Sequence, residues 1–186
     1  MIRYYITDRR LAGGVEPLVK AISRNLMDGV DLVQIREKDL SARELAALVL
    51  RVLALPNPHR SRILVNSRTD VAVACGAAGV HLPAGSFPVE RVRRIAPANF
   101  LIGVSCHTER DLAEAEGASA DFAVLGPVFL SPSKNEPQPP IGLETFALWA
   151  AKTRIPVLAL GGVSHRSAPL CERAGAAGVA GISMFQ

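Results

Sequence analysis

Aromatic side chains make up only 5% of the 186 residues. That scarcity argues against an aromatic-rich sandwich, and the abundance of Gly, Ala and Val instead suits buried parallel strands alternating with close-packed helices. No apolar run reaches the roughly 18 residues that a membrane helix requires. The opening Met1-Ile2-Arg3-Tyr4-Tyr5 passes directly into the polar Thr7-Asp8-Arg9-Arg10, unlike a signal peptide. The expectation is a soluble, cytoplasmic protein with no membrane partner.

Cysteine is also sparse. Cys75, Cys106 and Cys171 are odd in number, show no CxxC spacing and sit in or beside apolar segments, as reduced core thiols do in the cytoplasm. The four histidines, His59, His81, His107 and His165, lack the close spacings of zinc ligands, and His81 reads as a buried, hydrogen-bonded strand residue. Runs of one charge are missing too. The formal charge is +4, but no basic run exceeds the pairs Arg9-Arg10 and Arg93-Arg94. A small phosphorylated ligand accounts for that modest excess as well as a nucleic acid would, and no nucleic-acid partner is expected.

What the chain does contain is repetition. With 49% hydrophobic and 20% charged residues it can bury one sizeable core, so residues 1–186 read as a single domain. Eight short β-branched or apolar runs recur: Tyr4 to Thr7, Leu32 to Arg36, Ile63 to Asn66, Gly79 to Leu82, Leu101 to Ser105, Phe122 to Gly126, Val157 to Leu160 and Val179 to Ser183. Helical periodicity fills the intervals, as with Leu45, Leu48, Val49 and Val52 after the capping signal Ser41-Ala42-Arg43-Glu44. Helix-ending phrases Asp28-Gly29, Cys75-Gly76, Glu116-Gly117 and Ala174-Gly175 precede strands. An open doubly wound sheet is disfavoured because no GxGxxG follows the first run.

Alternating strands and helices joined by right-handed crossovers predict an α/β fold, a (β/α)8 TIM barrel. The chain stops at Phe185-Gln186, just after the eighth run, so the eighth outer helix is expected to be missing or truncated. A flank left open in this way would suit a partner subunit, and a homodimer is the expectation.

In a barrel, sites form where strands end. The second run ends in Gln34-Ile35-Arg36-Glu37-Lys38, and a period of two puts Gln34, Arg36 and Lys38 on one face, a converging set that suits a phosphate or pyrophosphate. Asn66 closes the third run as a ligand-facing amide or a helix cap. After the fifth come Ser105-Cys106-His107, where Cys106 and His107 point to opposite faces and cannot form a dyad. Ser105 and His107 share the other face, with His107 either an acid/base group or a cap. The long segment from Gly126 to Gly142 carries Ser131, Ser133 and Lys134, either an anion clamp or a surface loop. Gly161-Gly162 after the seventh run and Ile182-Ser183 after the eighth match the usual place for a phosphate.

Together, Gln34-Ile35-Arg36-Glu37-Lys38, Asn66-Ser67-Arg68-Thr69-Asp70, Gly79-Val80-His81-Leu82, Gly103-Val104-Ser105-Cys106-His107, Gly126-Pro127-Val128-Phe129 and Leu160-Gly161-Gly162 resemble the thiamine phosphate synthase superfamily, from Tyr5 to Ser183. The resemblance implies one of two activities. A thiamine phosphate synthase joins a pyrimidine pyrophosphate to a thiazole phosphate, using magnesium held by carboxylates. A TenI-type thiazole tautomerase moves a proton without metal or other cofactor.

The family's two carboxylate positions here read Ser67, within Asn66-Ser67-Arg68, and Gly85-Ser86, within His81-Leu82-Pro83-Ala84-Gly85-Ser86. Neither supplies the charge a dication needs. The leading expectation is therefore a metal-free tautomerase. In that reading His107 is the catalytic residue, Gln34, Arg36, Lys38, Asn66, Ser105, Ser131, Ser133 and Lys134 bind the thiazole phosphate, and Gly161, Gly162, Ile182 and Ser183 hold its phosphate. Three alternatives stay open. One is a synthase whose magnesium ligands have moved, to Asp70 or Asp39. Another is a non-catalytic sensor of thiamine metabolites. The last is a different phosphate-binding barrel with Asp8 as its catalytic acid.

Overall fold

The structure, a computed structural model, describes residues 1–130 and 139–186. Eight parallel strands close into a barrel in chain order. They are β1 (Ile2–Ile6), β2 (Leu32–Ile35), β3 (Arg62–Asn66), β4 (Gly79–Leu82), β5 (Leu101–Cys106), β6 (Phe122–Leu125), β7 (Val157–Ala159) and β8 (Gly178–Gly181). The ring closes at Tyr4, which lies opposite Leu32 on one side and Ala180 on the other. Each predicted run holds a strand, but several boundaries shift. Arg36 falls just beyond β2, and Ile182-Ser183 lie in a turn past β8 rather than at its end.

Outside the barrel pack α1 (Arg9–Ala12), α2 (Val15–Met27), α3 (Ala42–Leu53), α4 (Thr69–Cys75), α5 (Val89–Ile95), α6 (Glu109–Gly117), α7 (Gly142–Ala150) and α8 (Ala168–Arg173). Because α1 and α2 share the first crossover, the count reaches eight although, among the described residues, no helix follows β8. The place beside β1 is partly filled by Phe185. Its ring is 4% exposed and stacks near Tyr5 at 5.6 Å, while its carbonyl accepts from Asn25 at 2.7 Å.

Local signals explain the elements. In α3 the Ser41 side chain caps Glu44 and Glu44 returns the bond, while Leu45, Leu48, Val49 and Val52 form one buried stripe. Each of those side chains contributes about 2 kcal/mol on burial. Gly29, Gly76 and Gly175 take the left-handed conformation at helix ends as expected. Gly117 does not: it is still helical, and Ser119 makes the turn instead.

Two cores result. The outer one lies between strands and helices. The inner one fills the barrel with Tyr4, Ile6, Leu32, Leu64, Phe122, Val124, Leu158 and Ala180. Tyr4 meets Phe122 edge to face at 5.6 Å. The inward side chains plug the barrel's lower part, so a ligand can enter only from the carboxyl ends of the strands.

Candidate active site

Strand alternation places the candidate residues. In β2, Leu32 belongs to the inner core while Val33 and Ile35 belong to the outer one, so Gln34 turns inward. Gln34 is 1% exposed, and its Nε2 donates to the Tyr4 hydroxyl at 2.8 Å. Arg36, half-buried, continues that inward face beyond the strand, and Lys38 is exposed at the rim. Only Gln34 of the three lies within β2, and the three differ widely in exposure. Ser131, Ser133 and Lys134 lie outside the described residues.

Glu37, between the two cations, is a functional neighbour that sequence reasoning passed over. It is 5% exposed, accepts from the Thr7 hydroxyl at 2.6 Å and from the Arg9 amide at 3.1 Å, and pairs with the Arg9 guanidinium at 3.3 Å. Thr7 Oγ1 in turn accepts from the Arg36 amide at 2.9 Å. Glu37 thus ties the loop after β1 to the backbone that carries Arg36. The available signal was a lone acid between two bases at a strand end, a position where a buried charge needs a dedicated partner.

Asn66 closes β3 with its side chain donating to Ser67 Oγ at 3.0 Å, and the helix cap is Arg68 instead. Ser67 takes a left-handed conformation, φ 60, and its amide donates to the His81 carbonyl at 2.9 Å. In β5, Ser105 Oγ lies 2.8 Å from His81 Nε2. His107 is not the cap of α6. Thr108 holds that role, and the His107 ring instead bonds Gly126 O through Nδ1 at 2.6 Å. Cys106 is fully buried on the opposite face, its thiol pushed up to about 12 by burial. Cys106 and His107 form no dyad. Asp8 is the cap of α1, accepting from the Arg10 and Leu11 amides, which leaves it a turn residue.

Gly161 and Gly162 both have positive φ, 93 and 63. A Cβ on Gly161 would sit 2.5 Å from Pro127 Cβ, and one on Gly162 would sit 2.7 Å from Phe129 Cβ and overlap the Leu130 carbonyl. The pair is therefore demanded by the close approach of the segment after β6 as well as by the turn. Among the described residues, the amides of Gly161, Gly162, Ile182 and Ser183 donate to no protein acceptor. His165 Nε2 and the Met184 carbonyl, 3.1 Å apart, link the two segments.

The two carboxylates that could have replaced the family's magnesium ligands are engaged. Arg68 grips Asp70 through two bonds, 2.8 and 2.5 Å, and Arg9 and Arg10 hold Asp39 at 2.5, 2.6 and 2.9 Å. The guanidiniums hold the Asp39 carboxyl well below the usual carboxylate range and lower that of Asp70. No cluster of three His, Cys, Asp or Glu side chains suited to a metal occurs among the described residues. Among the described residues, Asp70 and Asp39 therefore face arginines rather than an open coordination position. Among the described residues, no helix is long and apolar enough to cross a membrane.

The comparisons with known proteins agree with one another. A family model described as thiamine monophosphate synthase matches residues 3–185. The chain is 44% identical over 182 residues to a putative thiamine-phosphate synthase 2 of Aquifex aeolicus, covering 98% of this chain and 96% of that one. It is 41% identical to a thiamine-phosphate synthase of a Roseiflexus species, covering 98% and 77%. Among solved structures, a thiamine phosphate pyrophosphorylase from Pyrococcus furiosus superposes with a TM-score of 0.86 at 32% identity, covering 100% of this chain and 88% of that one. These near full-length matches to proteins named as synthases overturn the expectation of a thiazole tautomerase, which rested on two missing carboxylates. Loss of a metal ligand alters how charge is stabilised. It does not by itself convert a transferase into an isomerase. With the barrel, its polar mouth and these relatives in agreement, the chain belongs to the thiamine monophosphate synthase family.

Proposed function

We propose that the protein is a thiamine-phosphate synthase, joining a pyrimidine pyrophosphate to a thiazole phosphate with release of pyrophosphate. The observation that carries the reading is the near full-length similarity to proteins of that name, at 41% identity in one case, on a barrel whose mouth is polar and cationic. In the reaction the bond from the pyrimidine's carbon to the pyrophosphate oxygen breaks and a bond to the thiazole forms. The protein's task is to hold two phosphorylated partners in line and to accept the charge that develops on the departing group.

In this reading Arg36 and Lys38 bind the pyrophosphate, and Lys134, which lies outside the described residues, is assigned to it by the family resemblance alone. Arg36 is preset by the Thr7 bond to its backbone. The amides of Gly161, Gly162, Ile182 and Ser183, which donate to no acceptor among the described residues, suit the phosphate of the thiazole partner. Ser105 and Asn66 offer hydroxyl and amide contacts between the two. His107 donates through Nδ1 to Gly126 and so presents Nε2 as an acceptor that orients a bound ring. With Asp39 and Asp70 paired to arginines, the reading assigns charge stabilisation to the cations and amides.

The test is an assay offering both substrates, with and without magnesium, and measuring pyrophosphate and the joined product together. Equimolar release of both supports the synthase. Tight pyrophosphate binding with no product would return the protein to the sensor class.

A further inference from the structure

A continuous hydrogen-bonded chain crosses the inside of the barrel. Gln34 Nε2 donates to the Tyr4 hydroxyl at 2.8 Å, the Tyr4 hydroxyl lies 3.2 Å from His81 Nδ1, and His81 Nε2 lies 2.8 Å from Ser105 Oγ. Tyr4 is fully buried and His81 is 3% exposed, whereas Ser105 is half-buried where β5 approaches the mouth. Tyr4 and a neutral His81 each have one proton to give, and this determines the direction. Tyr4 accepts from Gln34, so its own proton goes to His81 Nδ1. With Nδ1 an acceptor, the neutral ring carries its proton on Nε2 and donates it to Ser105. The Ser105 oxygen is then already supplied with a donor.

We infer that Tyr4 and His81 are positioning residues which turn the Ser105 hydroxyl proton toward the barrel mouth, making Ser105 an obligate donor to an oxyanion bound there. The identity of that oxyanion as pyrophosphate rests on the synthase reading. The direction of the chain does not. Burial holds His81 down near 3, helped by the charge of Arg36, and holds the Tyr4 phenol far above its ordinary value. Both therefore stay neutral through the working range, and the relay cannot invert by ionisation.

The first measurement is the ¹⁵N spectrum of the imidazoles in the ligand-free full-length protein, with His81 assigned by loss of its signals in His81→Gln. The inference expects the Nε2–H tautomer unchanged from pH 5 to 9, and a mixture of tautomers in Tyr4→Phe. An Nδ1–H tautomer, or an imidazolium at neutral pH, overturns it. The second is calorimetric binding of inorganic pyrophosphate. Tyr4→Phe and Ser105→Ala should each weaken binding about five- to tenfold. The double variant should bind no more weakly than Ser105→Ala alone, because Tyr4 acts through Ser105. Additive losses would assign Tyr4 a merely structural role and overturn the inference. The expected tautomer and coupled losses, found together with no joining of the two substrates, would remove the synthase reading and leave the relay standing.

Discussion

The Nδ1 atom of His107 lies 2.6 Å from the carbonyl oxygen of Gly126, bridging the carboxyl ends of β5 and β6. A carbonyl only accepts, so this single contact sets the tautomer of a half-buried histidine and leaves Nε2 as a lone-pair acceptor. His107→Asn keeps a donor near Gly126 while deleting Nε2. In the two-substrate assay, kcat/KM should fall about tenfold, with the melting temperature nearly unchanged. Full activity in His107→Asn would remove the histidine from the site.

The glycine pair after β7 supports a stability prediction. Gly162→Ala places a methyl group against Phe129 Cβ at 2.7 Å on a backbone with φ 63. The cost should be about 2–3 kcal/mol in urea unfolding. An unfolding midpoint equal to wild type would show that the segment after β6 yields easily and that the glycines serve the ligand alone.

Glu37 tests whether the loop after β1 positions the cations. Glu37→Gln leaves Arg9 without its buried anion and weakens the bond from Thr7. A loss of about 2 kcal/mol is expected. KM for the pyrophosphate substrate should rise with it, since the Arg36 amide is held by the same Thr7 oxygen at 2.9 Å. A stability loss without any change in KM would separate the loop from the site.

His81 dictates an acid limb. The folded ring takes up its proton only near pH 3, the unfolded one near 6.5. Its contribution to stability is therefore fully present above about pH 6.5 and is lost as pH falls toward 3, at about 1.4 kcal/mol per pH unit. Asp39 and Asp70, held low by their guanidiniums, add losses only below about pH 4, where the unfolded carboxylates protonate. Denaturant titrations between about pH 6.5 and 5.5, above the range of the lowered carboxylates, should show the slope in the wild type and not in His81→Gln.

Ser67 offers a test by gain. Its left-handed backbone is one that aspartate tolerates, so Ser67→Asp should fold normally. The added carboxylate beside the mouth should make turnover respond to magnesium more strongly than in the wild type. Equal magnesium dependence in both proteins would mean that the family's carboxylate position has no role here.

The sequence by itself determined the barrel. Eight apolar runs at regular intervals, the Ser41-Glu44 capping box and the absence of a dinucleotide-binding glycine motif leave little else, because strand and helix periods are local properties of the chain. It also put Gln34 on the inward face of β2, since the period of two survives folding within a strand. Only the tertiary structure decided what the site residues do. That Gln34 is bound to Tyr4, that Ser105 meets a histidine twenty-four positions earlier, and that Asp39 and Asp70 are already occupied by arginines depend on which strands and loops become neighbours. Such pairings leave no local periodic trace. The expectation of a tautomerase failed for another reason: it weighed missing side chains at single positions, and near full-length similarity to proteins named as synthases outweighs them, because a fold and a few positions do not fix an activity.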